Sequence, residues 1–279
     1  MITSFDDLIT NIYRGNFFRS DFDFSNTNVG IAGGRWAELM TVPDGSGVIS
    51  VPVKDGGTSK SFVTTAESQF IEHCGSVAPA SKHLINGVVY SHNFISGTII
   101  IVDVLGYYPG INVNSTTTHT FSGSVPTRYT EGVMAGLYIT DVATSLTGAA
   151  SLTMTYTNSD NVSGRTVTQA ALTSPGVLQT WAATPYLNFA SGDKGIKSVQ
   201  SLQFTSAMAG NATATLFLFK PIATIPMATT AVASERDFVN QSPYMAKIAD
   251  DACLSALYLG NTTTTIGSSI VGSLEFAWG

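Results

Sequence analysis

The chain has 279 residues, of which 44% are apolar and only 11% are charged, and its net charge is −6. This composition excludes a disordered chain, which needs low hydrophobicity and high net charge, and a coiled coil, which is rich in Glu, Lys, Leu and Arg. A nucleic-acid binder carries a concentrated basic face, so we expect no nucleic-acid partner.

Residues 1–28 are predicted to form an N-terminal arm with a short helix. Ser4 and Asp7 form a weak capping box, and apolar residues at helical spacing follow up to Gly15, a natural helix end. The aromatic stretch 17–24 has no obvious scaffold. Two placements of the arm stay open: packing on its own subunit, or docking onto a neighbouring subunit that buries the aromatic residues.

Strand and turn signals alternate at short spacing through residues 29–279. The predicted strands are 48–53, 87–90, 98–105, 132–139, 152–157, 199–205, 214–220, 253–259 and 273–278. Strand 98–105 is apolar on both faces, which indicates a central position, while 152–157 alternates apolar residues with threonine. This pattern is typical of a sandwich or a barrel and not of βαβ units. We predict an all-β, jelly-roll-like β-sandwich over 29–279, either one body or two packed sandwiches.

Two local signals interrupt the strand pattern. Residues 234–241 are predicted to form a second helix, with Ser234 as N-cap, Glu235 and Asp237 in the first turn, and Pro243 after its end. The segment 107–110, YYPG, is predicted to end a buried strand with a turn, because proline fixes φ and glycine allows the left-handed conformation.

The residue types that carry chemistry show no catalytic or metal-binding spacing. The four histidines are His73, His83, His92 and His119. None has the spacing of a metal site, and nucleophile elbows, P-loops and calcium loops are missing. We therefore predict no catalytic, cofactor-binding or metal-binding residues, no cofactor and no enzyme activity. Cys74 and Cys253 are predicted to be buried small apolar side chains and not a disulfide, and Asp250 and Asp251 an acidic turn.

Two other interpretations stay open at this point. Paired carboxylates of a glycosidase converge only in space, and the candidates are Glu38, Glu67, Glu72, Asp103 and Glu131. Aromatic side chains can stack on sugars, and the candidates are Trp36, Trp181, Trp278, Tyr107 and Tyr108, of which the two tyrosines are expected to be exposed. Core packing is the favoured role for Trp36 and Trp278.

The low charge itself predicts association. With 13 basic and 19 acidic side chains, the chain has few charges to cover its surface. Stable interfaces are depleted in charge at their centres, whereas monomers keep a well-charged surface. We therefore expect neutral surfaces rich in Thr, Ser and Gly to be covered by copies of the chain or by partners. The scarce cations Arg128 and Arg165 are expected to pair locally with a carboxylate or carbonyl.

Several segments resemble structural virion proteins of tailed bacteriophages, of the capsid-associated or decoration type. They are 33–39 (GGRWAEL), 81–84 (SKHL), 103–110 (DVLGYYPG), 126–130 (PTRYT), 156–158 (YTN) with 163–165 (SGR), 191–200 (SGDKGIKSVQ) and 275–279 (EFAWG). The resemblance implies a capsid, decoration or head–tail protein whose partners are its own copies and other virion proteins. The alternatives are a carbohydrate- or receptor-binding module of a tail fibre and a polysaccharide-degrading enzyme.

The start of the chain bears on its compartment. Asp6 and Asp7 lie where a signal peptide carries basic residues, and no stretch reaches the roughly 18 apolar residues of a membrane span. We therefore expect no membrane partner, and assembly into a virion in the host cytoplasm.

Overall fold

The computed structural model describes residues 2–26, 33–38, 42–43, 49–50, 60–61, 71–92, 96–122, 128–142, 149–173, 185–210, 212–229, 231–240, 245–261 and 268–279. The elements in chain order are α1 (Phe5–Tyr13), β1 (Phe17–Asn26), β2 (Trp36–Glu38), β3 (Val42–Pro43), β4 (Ile49–Ser50), β5 (Lys60–Ser61), β6 (Lys82–His92), β7 (Gly97–Asn112), β8 (His119–Thr120), β9 (Met134–Val142), β10 (Ala149–Asn158), β11 (Arg165–Thr173), β12 (Ile196–Phe204), β13 (Ala212–Met227), β14 (Ser234–Asp237), β15 (Lys247–Ile248), β16 (Leu254–Gly260) and β17 (Ser268–Trp278).

Three antiparallel sheets make up the body. The central sheet has the order β2–β16–β7–β13–β9, with β5 on β7. The N-terminal sheet has the order β1–β17–β6–β14, with β15 on β6, and the threonine sheet has the order β11–β10–β12–β8. A separate pair joins β3 and β4. Strands far apart in sequence lie side by side, such as β1 with β17 along their whole lengths.

The two smaller sheets cover the same face of the central sheet, one beyond the other. On β7, Ile99 and Ile101 belong to the core shared with the N-terminal sheet, and Leu105 belongs to the core shared with the threonine sheet. These residues alternate along one strand and therefore share a face. The opposite face is also buried, with Tyr107 and Phe217 in a third cluster. The predicted all-β sandwich with a short N-terminal helix is confirmed.

The N-terminal segment packs on its own chain. Ser4 Oγ accepts a hydrogen bond from Asp7 N at 3.1 Å, so the predicted N-cap is confirmed, and Gly15 follows the helix at φ +82°. Strand β1 is an addition to the predicted elements: Phe22 and Phe24 alternate inward and lie in the core. The first of the two placements is therefore the one observed. The division of the chain at residue 28 stays a prediction.

The predicted helix over 234–241 is wrong. Ser234–Asp237 is strand β14 and pairs with β6 from Val89 to Asn86. Asp237 Oδ1 then accepts hydrogen bonds from Val239 N at 2.8 Å and Asn240 N at 3.1 Å, which forms a turn. A short isolated helix is marginal in water, whereas pairing with β6 satisfies the main-chain groups. Residues 241–244, including Pro243, lie outside the described part.

The predicted turn at 107–110 is also wrong. Strand β7 continues to Asn112, and its register on β13 shifts between the pairs Tyr108–Leu216 and Ile111–Ala214. Gly110 has φ +74°, the left-handed conformation that glycine adopts without a steric penalty. Proline and glycine therefore form a bulge inside a long strand, which re-aims the side chains after it.

Candidate functional site

The threonine sheet has one apolar and one polar face because residues alternate along β10. Leu152, Met154 and Tyr156 are buried in the core below the sheet. The residues between them, Thr153 and Thr155, are half-buried and point outward. This is the half-buried strand with a threonine face that the sequence predicts.

The same outward rows continue across the neighbouring strands. Thr153 pairs with Thr168 on β11 and with Gln203 on β12, and the two threonine hydroxyls lie 3.1 Å apart. Thr155 pairs with Thr166 and Ser201 in the next row. We call this surface the threonine face. Its members are Thr120, Thr153, Thr155, Thr157, Thr166, Thr168, Ser198, Ser201 and Gln203.

All nine residues of the threonine face are polar and uncharged. Neighbouring strands lie about 4.8 Å apart, so the face is a regular array of hydroxyl and amide groups. Threonine is stiff at χ1, so little side-chain freedom is lost when a partner covers it. Hydroxyls also bridge to a partner through water at low cost. The arrangement is suited to contact with a neutral protein surface.

A hydrogen-bonded cluster fixes one end of the threonine sheet. Asp193 accepts from Tyr156 Oη at 2.5 Å, from Asn158 Nδ2 at 2.8 Å and from Arg165 Nε at 3.0 Å. Burial raises the pKa of Asp193, but these hydrogen bonds outweigh it, so the pKa lies below its ordinary value. The predicted local pairing of Arg165 is confirmed. The cluster ties the segment around Asp193 to β10 and β11.

A buried ion pair lies where the two cores of the sandwich meet. Asp103 is on the same face of β7 as Ile101 and Leu105, and Arg128 donates to its two oxygens at 2.7 and 2.6 Å. Tyr129 Oη and Cys253 N also donate to this carboxylate, each at 2.8 Å. The predicted local pairing of Arg128 is confirmed. Four charge-assisted hydrogen bonds satisfy Asp103, which is fully buried.

A second buried cluster lies beside the acidic turn. His73 Nε2 donates to Ala252 O at 2.8 Å, so Nδ1 accepts from Lys82 Nζ at 2.7 Å. Lys82 also donates to Gly75 O, and its Nζ lies 3.9 Å from Asp250. Burial lowers the pKa of both His73 and Lys82, and the Lys82 charge lowers that of His73 further. This cluster fixes the segment before β6.

The acidic turn lies as predicted, and Cys253 is buried as predicted, whereas the prediction that Cys74 is buried is wrong because it is half-buried. Asp250 accepts from Ser76 Oγ at 2.7 Å, and Asp251 lies 3.6 Å from Arg128. Both carboxylates therefore have partners within the chain. Cys74 and Cys253 are free thiols. Among the residues that the structure describes, no three His, Cys, Asp or Glu side chains are grouped to hold a metal ion.

The carboxylates considered for glycosidase chemistry are held by other groups or lie at the surface. Asp103 is in the ion pair above, and buried Glu38 accepts from Ser255 Oγ at 2.7 Å. Exposed Glu131 pairs with Lys194 at 3.2 Å. Glu72 is exposed. Glu67 lies outside the described residues.

The aromatic residues considered for sugar stacking are mostly in the interior. Tyr107 and Tyr108 are buried, so the expectation that they are exposed is wrong: β7 continues past them and both of its faces are covered. Trp36 is buried, as predicted, and Trp278 is half-buried. Trp181 lies outside the described residues.

Within the described ranges, no helix is long and apolar enough to cross a membrane.

Sequence reasoning missed the parts of the threonine face that lie on β11. Thr166, Val167 and Thr168 are all β-branched, which favours a strand. That signal is present in the sequence, but the pairing that places these threonines beside Thr153 and Thr155 is visible only in the structure.

Comparison with known proteins gives weak alignments to solved viral structures. No protein-family model and no curated protein matches the chain. The structure of infectious bursal disease virus strain Gx aligns at 10% identity and a TM-score of 0.20, over 93% of this chain and 80% of its own. The VP2 subviral particle of that virus aligns at 8% identity and a TM-score of 0.17, over 94% of this chain and 80% of the VP2 chain. At these TM-scores the alignments carry no argument, and the resemblance to tailed-phage proteins stays a prediction.

Proposed function

We propose that this chain is a non-enzymatic structural subunit that associates with copies of itself through the threonine face. The observation that carries the proposal is the absence of charge from all nine residues of that face. In a chain with 32 charged side chains, nine neighbouring outward residues without a charge favour burial against a partner. The exposed Lys197, at the bulge of β12 beside Ser198, lies at the edge of these nine residues.

The resemblance of the quoted segments supports a virion as the place of assembly. In that setting the subunit is a capsid, decoration or head–tail protein of a bacteriophage, made and assembled in the host cytoplasm, and other virion proteins are further partners. Nucleic acid, membranes and cofactors have no part in this proposal. Immunogold labelling of virions with an antibody against the chain tests the placement, and unlabelled particles that lack the chain by mass spectrometry contradict it.

Placing charge on the threonine face tests the mode of association. Lysines at its centre, in the double variant Thr153→Lys/Thr155→Lys, should weaken self-association at least tenfold, because each ammonium group would lose water without gaining a partner. Thr224→Lys is the matched control, since Thr224 is an exposed threonine of β13 outside the face. Sedimentation velocity over a concentration series measures the change.

Two results would contradict the proposal. One is a wild-type chain that stays monomeric at all concentrations, and the other is equal association of the double variant and the control. The alternative function, glycan binding by a tail-fibre module, predicts a signal for the wild type on a glycan array. The enzyme alternative predicts release of reducing ends from a polysaccharide. Either result in a monomeric wild type would replace the structural role.

A further inference from the structure

Helix α1 is held to the body by a small apolar cluster. Leu8 of α1 and Ile2 before it pack with Ile85 of β6 and Ala277 of β17. Among the described residues, the hydrogen bonds of α1 and its caps stay within residues 3–16. Strand β1, in contrast, pairs with β17 along its whole length. Release of α1 therefore breaks no strand pair, and it requires less free energy than unfolding of the body.

The joint between α1 and β1 is a glycine. Gly15 has φ +82°, and beyond its chain neighbours no atom lies within 4 Å of the position that a Cβ would take. The next residue, Asn16, is fixed to the sheet, because its carbonyl accepts a hydrogen bond from Trp278 N at 3.2 Å. Helix α1 can therefore turn about Gly15 while β1 stays in place.

His83 lies beside the cluster that holds α1. It is the cross-strand partner of Ala277, and its Nδ1 donates to Met245 O at 3.4 Å. Met245 packs against the same cluster. Leu84 belongs to the core shared with the central sheet, so His83 and Ile85 lie on the opposite, outer face of the N-terminal sheet. Three neighbours of His83 thus take part in the contact with α1.

The second ring nitrogen of His83 is buried without a partner. Because Nδ1 donates its hydrogen to Met245 O, Nε2 of the neutral ring carries only a lone pair. Nε2 is buried and has no hydrogen-bond partner among the described residues. Protonation would add an N–H at this atom, and a buried donor without an acceptor is costly. The packed position of α1 therefore fits the neutral ring and disfavours the charged one.

The charges that act on His83 have the same effect. Burial lowers the pKa of His83, and Lys247 and the N-terminal ammonium group lower it further, while the hydrogen bond with Met245 O raises it. Lys247 is the partner of His83 in the pairing of β15 with β6. A proton on His83 would thus bring a third positive charge to a place that already has two.

The acidic groups on the elements around His83 have other partners or face the solvent. Asp7 of α1 accepts from Thr3, and Glu275 of β17 accepts from Asn86. Asp6 of α1 is exposed. None of these carboxylates is a hydrogen-bond partner of His83. The other charged or titratable residues on the surrounding elements are Arg14, Arg19, Asp21, Asp23, Lys82, His92, Glu235, Arg236 and Asp237.

We propose that acid releases α1 from the outer face of the N-terminal sheet, with His83 as the sensor. When α1 turns away about Gly15, the charged ring gains access to water. The chain then has two forms, one with α1 packed near neutral pH and one with α1 released in acid. This inference goes beyond the proposed function and does not rest on the threonine face.

The size of the effect follows from proton linkage. The released form binds the proton of His83 with a pKa near the ordinary value of 6.5, whereas the packed form binds it only at lower pH. The ratio of released to packed chains should therefore rise as the pH falls below about 6.5, by up to about tenfold per pH unit for one group. Near neutral pH, where both forms leave His83 uncharged, the packed form is retained.

Hydrogen exchange measured by mass spectrometry on the full chain tests the release. Protection factors, taken against the exchange rates of unstructured peptides at the same pH, remove the effect of pH on the chemistry itself. Between pH 7 and pH 5, peptides that cover α1 should lose protection several-fold, while peptides of β10 (Ala149–Asn158) should keep theirs. The N-cap of α1 persists at pH 5, because the hydrogen bond from the Thr3 hydroxyl lowers the pKa of Asp7.

Two histidine variants identify the sensor. His83→Gln should abolish the loss of protection in α1, because glutamine stays neutral at both pH values. His92→Gln is the matched control, since His92 is an exposed histidine at the other end of β6, and it should respond as wild type does. If His83→Gln does not fold, Lys247→Gln replaces it: removing this positive charge should reduce the loss of protection.

Four results would overturn the proposal. Protection of α1 in wild type that is equal at pH 7 and pH 5 would show that acid does not release the helix. An equal loss of protection in α1 and β10 would show that the whole body opens. An equal loss in His83→Gln and His92→Gln would show that His83 is not the sensor. An undiminished loss in Lys247→Gln would show that the positive charge around His83 has no part in the release.

Discussion

The outer faces of the N-terminal sheet and the threonine sheet differ in charge, although both sheets alternate apolar and polar residues. The N-terminal sheet places Arg19, Asp21 and Asp23 outward on β1, with Glu275 beside Arg19 on β17. The nine outward residues of the threonine face carry no charge, and Lys197 in the bulge of β12 lies at their edge. The two sheets belong to the same molecule, and their inner faces cover the same central sheet. The difference indicates that one outer face is adapted to water and the other to a neutral partner.

The first prediction extends the comparison to charge inside the body. Arg128→Ala leaves Asp103 buried and uncompensated, and should lower the free energy of unfolding by about 3–5 kcal/mol. Arg19→Ala on the charged outer face removes a cation whose partner Asp21 is largely exposed, and should lower it by at most about 1 kcal/mol. Urea denaturation of both variants measures the two values.

A conservative variant keeps this prediction testable if Arg128→Ala does not fold. Arg128→Lys retains the charge but loses the two parallel hydrogen bonds of the guanidinium group. Its decrease in the free energy of unfolding should therefore lie between the decreases of Arg128→Ala and Arg19→Ala. Equal stability of Arg128→Ala and Arg19→Ala would show that the pair between the cores contributes no more than a surface pair.

The second prediction concerns the fall of stability at low pH, which we expect to arise in the half of the sandwich that contains β6. Burial, followed by the Lys82 charge, lowers the pKa of His73 in the half that contains β6. The unfolded chain binds this proton near pH 6.5, whereas the native chain binds it only at lower pH. Stability should therefore fall as the pH drops below about 6.5, by up to about 1.4 kcal/mol per pH unit for one group.

Replacing the histidine isolates its contribution. His73→Gln should flatten the dependence of unfolding free energy on pH between pH 7 and pH 5. Burial also lowers the pKa of His83, which lies on β6, so part of the slope should remain. Urea denaturation at each pH measures this dependence. If the free energy of unfolding depends equally on pH in wild type and His73→Gln, then His73 does not cause the loss of stability in acid.

Much of the fold could be predicted because one-sided burial leaves a period of two in the sequence. Strand 152–157 shows this period and is part of β10. Strand β1 shows it as well, because Phe22 and Phe24 alternate with Asp21 and Asp23, but a chain end rich in aromatic residues gave no indication of its partner β17. Strand β14 was predicted as a helix because its capping signals are local, while its partner β6 is about 150 residues away in the chain.

The candidate site was predictable in kind and only partly in position. Low charge predicts a neutral association surface, and the alternation in β10 locates Thr153 and Thr155. The strands that complete the surface are brought together by pairing, which composition and spacing do not encode. In the same way, Arg128 was expected to meet a carboxylate or carbonyl, but only folding selects Asp103.

The third prediction has the smallest effect on stability and asks what the threonine face contributes. Thr153→Val keeps the β-branched shape and the neutral character but removes the hydroxyl that lies 3.1 Å from the Thr168 hydroxyl. A cross-strand pair of this kind contributes roughly 0.2–1 kcal/mol, so the free energy of unfolding should change by no more than that. Self-association should be retained, because valine brings no charge that needs water. If sedimentation shows that Thr153→Val loses association as fully as Thr153→Lys/Thr155→Lys, then hydroxyl hydrogen bonds, and not neutrality, hold the copies together.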